Sequence, residues 1–417
     1  MIYAVTRIPR RTRKSLELQY TIDLKGLFLG DAFKDFDFAY QDSSIDTFYI
    51  TLTADILTHA QLEFIMSGMV QPLMVQSTNA RAEIVFVCPK EHMKTVKKSI
   101  QMIQYVQEAR LLAMLPANIG TPHNMALRGR GIFRGCPGVR SKILLSPQLR
   151  KLGMNLVLAV GESSANKPCV LVVERKVKNA RRTVCVVGKG ITFDAGGLSI
   201  KPIKYMEYMK FDKTGAVYGM YALRACMDND KNTNFVGVFP FADNVISGSA
   251  VRPGDVVKSY SGKTVEIVDP DAEGRLVMAD AMSYAAKYKP DILLDLATLT
   301  GNAETVNCFS TAYVYASAKE MHTVIEKAGD ATGERMLLMP TWPEYSHLLT
   351  SKVADIKQLD SKLHCDAYMA AMFLSFFIPK GAKWIHMDLI MQHSSNGIPS
   401  GRGVRATTEV IQNALKK

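Results

Sequence analysis

Apolar and polar positions along the chain follow two alternating periods, and this pattern predicts an α/β protein. Short apolar runs rich in β-branched residues predict strands, whereas apolar residues that recur every three or four positions predict helices. In the longer, second part of the chain the predicted strands are residues 156–160, 169–173, 184–187, 235–239, 292–296 and 384–389. The predicted helices between or after them are residues 215–227, 276–287, 366–377 and 407–415. Such alternation is typical of a mostly parallel central sheet flanked by helices.

The first part of the chain, residues 1–90, predicts a small α/β domain. Strand-like runs occupy residues 48–52 and 82–87, and a helical pattern covers residues 54–69. Residues 91–115 lack Gly and Pro and carry apolar residues at helical spacing, so they predict a linking helix. Residues 116–417 then form the predicted larger domain.

The composition is that of a globular protein, because 47% of the 417 residues are hydrophobic and 22% are charged. The formal net charge of +12 could favour an anionic partner. Basic residues are mixed with acids everywhere except in residues 7–14 and in the Gly/Arg-rich residues 128–140. We interpret the Gly/Arg-rich segment as a solvated loop. A nucleic-acid partner is therefore possible but not favoured. No membrane partner is expected, since no apolar run reaches the about 20 residues that span a bilayer.

The seven cysteines and the amino terminus bear on location. The cysteines form no CxxC pair, which indicates reduced thiols in an intracellular, cytoplasmic protein. The first sixteen residues are rich in Arg and lack acids, as organellar transit segments are, so the mitochondrial matrix is the alternative.

Acids and lysines cluster after predicted strands, where the active sites of parallel sheets usually lie. Asp271 and Glu273 flank a small residue in a stretch predicted to be extended, so their side chains and that of Arg275 point to one face. The candidate site residues are these acids and lysines together with Arg275, namely Lys189, Asp194, Lys201, Asp212, Asp271, Glu273 and Arg275.

Two interpretations of this set are open. An acid at the start of a helix is commonly only a cap, and the set could be a structural salt-bridge network. Against this, Asp271 and Glu273 would repel each other strongly if buried, and cations would relieve the repulsion. Oxygen-rich ligation without Cys or His suits Mg²⁺, Mn²⁺ or Zn²⁺. Carboxylates numerous enough to bridge two ions suggest a two-metal hydrolase.

Several stretches closely resemble the leucyl aminopeptidase family, the M17-type two-metal metallopeptidases also called cytosol aminopeptidases. They are VGKGITFDAGGLSIK, DPDAEGRLVMADAMSYA, LATLTG, SKVADIKQ and WIHMDL. The resemblance covers roughly residues 105–412, whereas the first ninety residues give no clear match. It implies a hydrolase that releases the amino-terminal residue from peptides and assembles as a homohexamer.

The resemblance also implies a role for each candidate ligand. Lys189 and Asp212 would bind only the tighter of two divalent metals, zinc or manganese with magnesium possible. Asp271 would bind only the looser metal, and Asp194 and Glu273 would bridge both. Lysine ligates only as the neutral amine, so its pKa must be lowered by the ions.

Further residues receive catalytic and substrate roles from the same resemblance. Lys201 would stay charged and stabilise the developing oxyanion. Arg275 would position a bicarbonate ion that acts as general base. The implied substrate-binding residues are Met209, Thr298, Leu299, Gly301 and Ile390.

The chain departs from the family pattern near the predicted site, which leaves the preference for leucine open. The departures are Asp269, Pro270, Ala195, Lys213, Ile390 and His393. A second hypothesis is an aminopeptidase-like protein recruited to a structural or nucleic-acid-associated role, with weak or no catalysis. A third is an amidase or dipeptidase for a special substrate. Retention of all five ligands favours the enzyme.

Overall fold

A computed structural model describes residues 2–5, 15–20, 47–52, 83–301, 312–362, 365–389 and 399–417. Its contacts divide the chain into two compact units. The first comprises Met1–Leu111 with Ala331–Gly333, and the second comprises Leu112–Asp330 with Glu334–Lys417. The helix predicted over residues 54–69 lies outside the described residues, and the predicted domain boundaries stay predictions.

The first unit contains a parallel sheet and most of a long helix. Its strands are β1 (Ile2–Val5), β2 (Ser15–Tyr20), β3 (Thr47–Leu52) and β4 (Glu83–Val87). They pair in parallel in the order β1-β4-β3-β2, which confirms the predicted strands at residues 48–52 and 82–87. Helix α1 (Met93–Ala113) occupies the predicted linking segment. Val96, Ile100 and Ile103 form its buried stripe.

The second unit is built on a large mixed sheet. Its strands are β5 (Val139–Leu145), β6 (Cys169–Arg175), β7 (Arg182–Gly188), β8 (Gly190–Asp194), β9 (Thr233–Asn244), β12 (Ile292–Ala297), β13 (Ala312–Ala316), β14 (Met336–Leu338) and β16 (Lys383–Asp388). They run in the order β14-β13-β16-β12-β7-β9-β6-β5, and β8 pairs with β9. The central strands β7, β9, β12 and β16 are mutually parallel. A separate small sheet holds β10 (Val256–Lys258), β11 (Thr264–Glu266) and β15 (Ile356–Lys357).

Helices flank this sheet, which confirms the predicted α/β class. They are α2 (Pro122–Ile132), α3 (Ser146–Leu152), α4 (Asn155–Gly161), α5 (Ile203–Met206), α6 (Thr214–Asn229), α7 (Glu273–Ala285), α8 (Glu320–Thr332), α9 (Asp366–Ser375) and α10 (Val404–Ala414). All residues of α7 are buried, so this helix has no solvent-exposed face. Within the described ranges, no helix combines the length and apolarity that crossing a membrane requires.

Two local predictions are wrong. Residues 156–160 form helix α4 and not a strand, because five consecutive apolar residues suit a buried helix equally well. Asp280 of α7 accepts hydrogen bonds from the backbone N–H groups of Leu156 and Val157, at 2.8 and 3.2 Å, and so caps this helix. The stretch between Asp271 and Glu273 is not extended, since Glu273 is already the first residue of α7.

The carboxyl ends of the parallel strands meet at one edge of the sheet. Lys189 follows β7, Asp194 ends β8 and Asn244 ends β9. Thr298 follows β12, and Asp388 ends β16. This edge therefore collects polar side chains from segments far apart in the chain.

Candidate metal centre

Lys189 lies buried between β7 and β8 and joins two of the predicted ligands. Its Nζ atom is 2.8 Å from Asp212 Oδ2 and 2.9 Å from Glu273 Oε1, and it donates to the Thr298 carbonyl at 2.9 Å. The approach depends on Gly274, because a Cβ atom there would lie 2.5 Å from Lys189 Cε. Glycine at the first turn of α7 thus makes room for the amine.

Lys201 joins the other two predicted ligands. Its Nζ atom lies 2.9 Å from Asp194 Oδ2 and 2.5 Å from Asp271 Oδ1. The second oxygen, Asp194 Oδ1, accepts from Gly196 N at 2.9 Å and from Asn244 Nδ2 at 2.8 Å. Gly196 has a φ of +85°, and a Cβ atom there would stand 2.9 Å from Asp271 Oδ1. The left-handed turn after β8 therefore requires glycine.

The two lysine-centred groups form one cluster. Asp194, Asp271 and Glu273 each offer a ligand atom, and these atoms lie within 4.8 Å of one another. Together with Asp212, four carboxylates face two ammonium groups, so the cluster has a formal charge of minus two. Burial of uncompensated charge is costly, and divalent cations would balance it.

Three carboxylate oxygens of this cluster are paired with lysine nitrogens alone among the described residues. They are Asp212 Oδ2, Asp271 Oδ1 and Glu273 Oε1, and all three are buried. Each lies 2.5–2.9 Å from a lysine nitrogen and forms an ion pair with it. Buried carboxylate oxygens that converge on one point are the ligands that hard or borderline divalent cations prefer. The residues present therefore fit a metal site.

The pKa values of the acids show how strongly burial acts here. Burial raises the pKa of Asp194 and lifts that of Asp212 well above its ordinary value, although nearby lysines oppose both shifts. Burial and the neighbouring acids raise the pKa of Asp271 to about 7. Glu273 differs, because Lys189 and Lys201 outweigh burial and lower its pKa. Glu273 is therefore the acid in this cluster that holds its negative charge most firmly.

The two lysines shift in the opposite sense to what burial alone would produce. Burial lowers the pKa of Lys189, but Asp212 and Glu273 outweigh it and raise the pKa above its ordinary value. The pKa of Lys201 is raised in the same way, chiefly by Asp194 and Glu273. With this surrounding charge both lysines are ammonium groups, and ligation by Lys189 would require its proton to be displaced.

The acids are held by residues outside the predicted set of metal ligands. Thr298 Oγ1 donates to Asp212 Oδ1 at 2.8 Å. Gln358 accepts from Asp269 N at 3.1 Å and donates to the Ala272 carbonyl at 3.0 Å, so it spans the Asp271 loop from both sides. Gln358 is the last residue of SKVADIKQ, one of the stretches that resemble the leucyl aminopeptidase family. This resemblance was the signal in the sequence that could have identified it.

Asp388 fixes the segment that contains the predicted substrate-binding residues. Its carboxylate accepts from Leu299 N at 2.9 Å and from Thr300 Oγ1 at 2.8 Å. The Leu299 N–H group is therefore engaged by the protein itself. Asp388 belongs to WIHMDL, a stretch already marked by the resemblance, whereas Asn244 at the end of β9 had no such signal.

The remaining predicted residues are placed differently. Met209 is buried in a 3₁₀ helix, Met209–Phe211, and Gly301 is exposed. Arg275 lies two residues into α7, but its terminal nitrogens contact Gln358 and Asp366 and not the four carboxylates.

Ile390 and His393 lie outside the described residues. No description of the pocket for the first side chain of the substrate can therefore rest on them. His386 is fully buried beside Asp295 and belongs to the core.

Two departures from the family pattern have structural partners. Asp269 Oδ1 accepts from Asp271 N at 2.9 Å, so this extra acid stabilises the turn that presents Asp271. Lys213 is buried, and its Nζ atom donates to the carbonyls of Leu115 and Lys210. Burial and then Lys210 lower the pKa of Lys213 to about 7.

This fold and site define a class of protein: an α/β protein with a candidate divalent-cation centre at the carboxyl edge of a mostly parallel sheet. Residues 107–408 match the Cytosol aminopeptidase family, catalytic domain. The chain belongs to this family.

Curated relatives from distant organisms agree with this assignment. A protein of Saccharophagus degradans named "Probable cytosol aminopeptidase" is 39% identical over 74% of this chain and 62% of its own length. Proteins with the same name from Geobacter sulfurreducens and Cenarchaeum symbiosum are each 36% identical, over 75% and 71% of this chain and 64% and 61% of their own lengths. The chain thus matches about three fifths of the length of these relatives.

Proposed function

We propose that the protein is a metal-dependent aminopeptidase, a hydrolase that releases the amino-terminal residue from peptides. Family membership over the catalytic domain supports the reaction class. The observation that carries the proposal is the convergence of three ligand oxygens within 4.8 Å of one another, in a cluster whose four carboxylates outnumber its two ammonium groups. A purely structural salt-bridge network would pair the buried carboxylates with an equal number of cations.

Two divalent ions, zinc or manganese with magnesium as an alternative, are the proposed cofactors. Lys189 and Asp212 would hold one ion, Asp271 the other, and Asp194 and Glu273 would contact both. When bound, such ions polarise the scissile carbonyl and lower the pKa of a water toward neutrality.

Lys201 is the proposed electrophilic group of the chain itself. Its raised pKa keeps it protonated at neutral pH, because Asp194, Glu273 and Asp271 outweigh its burial. Its ammonium group contacts both Asp194 and Asp271. It is therefore placed to donate to the carbonyl oxygen of a substrate that binds beside these two side chains. Donors fixed before the reaction stabilise a developing oxyanion without reorganisation.

Substrate recognition is proposed for the segment after β12 and for two side chains. Residues 298–301 would bind the substrate main chain, and the contacts of Asp388 with Leu299 and Thr300 hold this segment in place. Met209 and Ile390 are proposed to line the pocket for the first side chain. The preference of that pocket, for leucine or another residue, is open.

Peptides are the proposed substrates and a homohexamer is the proposed assembly. The names of the relatives support a cytoplasmic location, and the Arg-rich amino terminus keeps the mitochondrial matrix as the alternative. None of the contacts described above favours the recruited, nucleic-acid-associated role.

The test is hydrolysis of a leucine anilide and a panel of other amino-acid anilides by the purified protein. Activity is expected with Mn²⁺ or Zn²⁺, loss of activity on chelation, and recovery on readdition. Asp271→Asn should abolish it, whereas Asp255→Asn, which removes an acid from a surface pair with Arg252, should not. A folded, metal-supplemented sample without activity on the whole panel would contradict the proposal.

A further inference from the structure

The central strands β12 and β16 hold a buried ion pair that the proposed reaction does not use. Asp295 of β12 and His386 of β16 are direct partners in the parallel sheet, and both are fully buried. Asp295 Oδ1 lies 2.5 Å from His386 Nδ1, and Asp295 Oδ2 accepts from Trp384 Nε1 at 2.6 Å. The rings of Trp384 and His386 stack at an interplanar angle of 17°. One carboxylate therefore fixes both the imidazole ring and the ring stacked on it.

The charge of His386 is set by the groups around it. Its Nε2 atom is buried and has no hydrogen-bond partner among the described residues, so Asp295 supplies the hydrogen bond that holds the ring. Burial lowers the pKa of His386, but Asp295 and then Asp388 outweigh burial and raise the pKa above its ordinary value of 6.5. Arg275 of α7 opposes this rise. Tyr315, the partner of His386 on β13, is a neutral phenol, because burial raises its pKa.

His386 shares one face of β16 with Asp388. Alternate residues of a strand point to the same face and are about 7 Å apart. Asp388 is buried and accepts from Leu299 N at 2.9 Å and from Thr300 Oγ1 at 2.8 Å. Burial raises the pKa of Asp388, and the charge of His386 is the strongest influence against this rise. A protonated Asp388 would lose part of its capacity to accept these two hydrogen bonds.

We propose that His386 is a positioning residue for the proposed substrate segment, residues 298–301. Held by Asp295, its positive charge keeps Asp388 ionised, and the ionised carboxylate fixes that segment. The inference rests on the proposed function, since it concerns how the segment is presented to a peptide. A pair that served packing alone would hold the segment equally well in either protonation state of the imidazole.

The first test does not require activity. Hydrogen–deuterium exchange of residues 298–301 is followed by mass spectrometry on the Mn²⁺-loaded protein, from about pH 6 to about pH 9 and corrected for the intrinsic exchange rate. Since the pKa of His386 lies above 6.5, protection should be complete below pH 6.5 and be lost as the pH rises through that pKa. Asp295→Asn keeps the shape of the side chain without its charge and should move this loss to lower pH. His386→Asn should make the segment exchange about 10- to 100-fold faster at every pH, as expected for a lost hydrogen bond to a charged group.

The second test is hydrolysis of a leucine dipeptide. His386→Asn and Asp295→Asn should raise KM by about 10-fold and change kcat little, because they weaken a binding segment and leave the reacting groups in place. When Asp388→Asn is already present, His386→Asn should add no further change, since both act through the same carboxylate. His123→Gln is the matched control, because His123 is an exposed histidine of α2, and it should behave like the wild type.

Two results would overturn the inference. One is protection of residues 298–301 that responds neither to pH nor to the two substitutions. The other is an equal loosening of strand β6, because general destabilisation would then explain the faster exchange. If His386→Asn does not fold, the pH series of the wild type and of Asp295→Asn decides between these outcomes. Absence of hydrolysis in every sample, with the expected exchange behaviour, would contradict only the proposed function.

Discussion

Gln358 shows how one side chain that contacts no candidate metal ligand directly shapes the centre. Its amide oxygen accepts from Asp269 N and its amide nitrogen donates to the Ala272 carbonyl, so both ends of the Asp271 loop are tied to it. Its own carbonyl accepts from Arg275. Gln358 is fully buried, so each of these partners would otherwise have to be satisfied without water.

We predict that Gln358→Ala weakens metal activation. The Asp271 loop loses both contacts, and supporting residues of this kind typically change metal affinity or activity by about 10- to 100-fold. Gln358→Glu keeps the acceptor for Asp269 N but loses the donor to Ala272, so its effect should be intermediate. The measurement is hydrolysis rate against free Mn²⁺ concentration. Equal activation midpoints for all three proteins would rule out this role.

At the scale of elements, the first turn of α7 positions much of the centre. Glu273 is its first residue, and Gly274 lies against the aliphatic end of Lys189. The amine can reach Glu273 and Asp212 only because no side chain stands between the helix and the end of β7. Helix position and ligand geometry are therefore linked.

Gly274→Ala should displace Lys189 and lower the hydrolysis rate, because the new Cβ atom would stand 2.5 Å from Lys189 Cε and 2.7 Å from its Nζ. Gly131→Ala is the matched control, since Gly131 is also helical and a Cβ atom there meets nothing within 4 Å. The rates and far-ultraviolet circular dichroism of both variants are compared with those of the wild type. An unaffected rate in Gly274→Ala would show that Lys189 can move without consequence.

Helix α4 depends on a carboxylate from α7. Asp280 is fully buried and accepts from the backbone N–H groups of Leu156, Val157 and Tyr260. Burial raises its pKa to about 7, although the three N–H groups oppose the rise. Since the pKa of Asp280 in the folded protein exceeds the ordinary value of 3.8, its proton-linked stabilisation is complete below pH 3.8 and is lost as the pH rises through about 7.

Asp280→Asn should therefore destabilise the protein in a pH-dependent way. The amide keeps one acceptor oxygen and leaves at least one buried N–H group unsatisfied, at a cost of about 1–3 kcal/mol. Because asparagine does not titrate, the loss in free energy of unfolding should be larger near pH 5 than near pH 8. Urea unfolding of both proteins across this range measures the difference. A loss that grows with pH would mean that the N–H groups, not burial, dominate the pKa of Asp280.

At the scale of the whole molecule, the sheet edge concentrates negative charge in a protein whose net charge is +12. Four carboxylates, three of them buried, face two ammonium groups, and bound cations would offset the difference. Binding that is specific to the folded state adds directly to stability.

We predict that chelation lowers the midpoint of thermal unfolding and that Mn²⁺ or Zn²⁺ raises it again. At a metal concentration of 100 times Kd the stabilisation is about 2.7 kcal/mol per site. Scanning calorimetry of apo and metal-loaded protein makes the comparison, with Asp194→Asn as the variant in which the response should shrink. Identical midpoints with and without metal would argue against a metal centre in the folded chain.

Periodicity predicted the helices and strands where length and composition agreed, and its failures have physical causes. The strands β7, β9 and β12 and the long helix α6 were predicted, but the apolar run of α4 fits either state. The segment interpreted as a Gly/Arg loop overlaps α2 and β5. Gly129 lies in α2, where a Cβ atom would collide with Met220 and Leu171. Close packing, and not a turn, therefore explains the glycine at this position.

The chemistry of the candidate centre could be predicted from the residues alone. Residue types and their places at strand ends predicted the carboxylates and lysines that the structure brings together, since parallel strands share one carboxyl edge. The tertiary structure was needed to show which groups hold these carboxylates and lysines in place. The contacts of Arg275 with Gln358 and Asp366 join residues 83 and 91 positions apart, and no local pattern encodes the direction in which such buried side chains point.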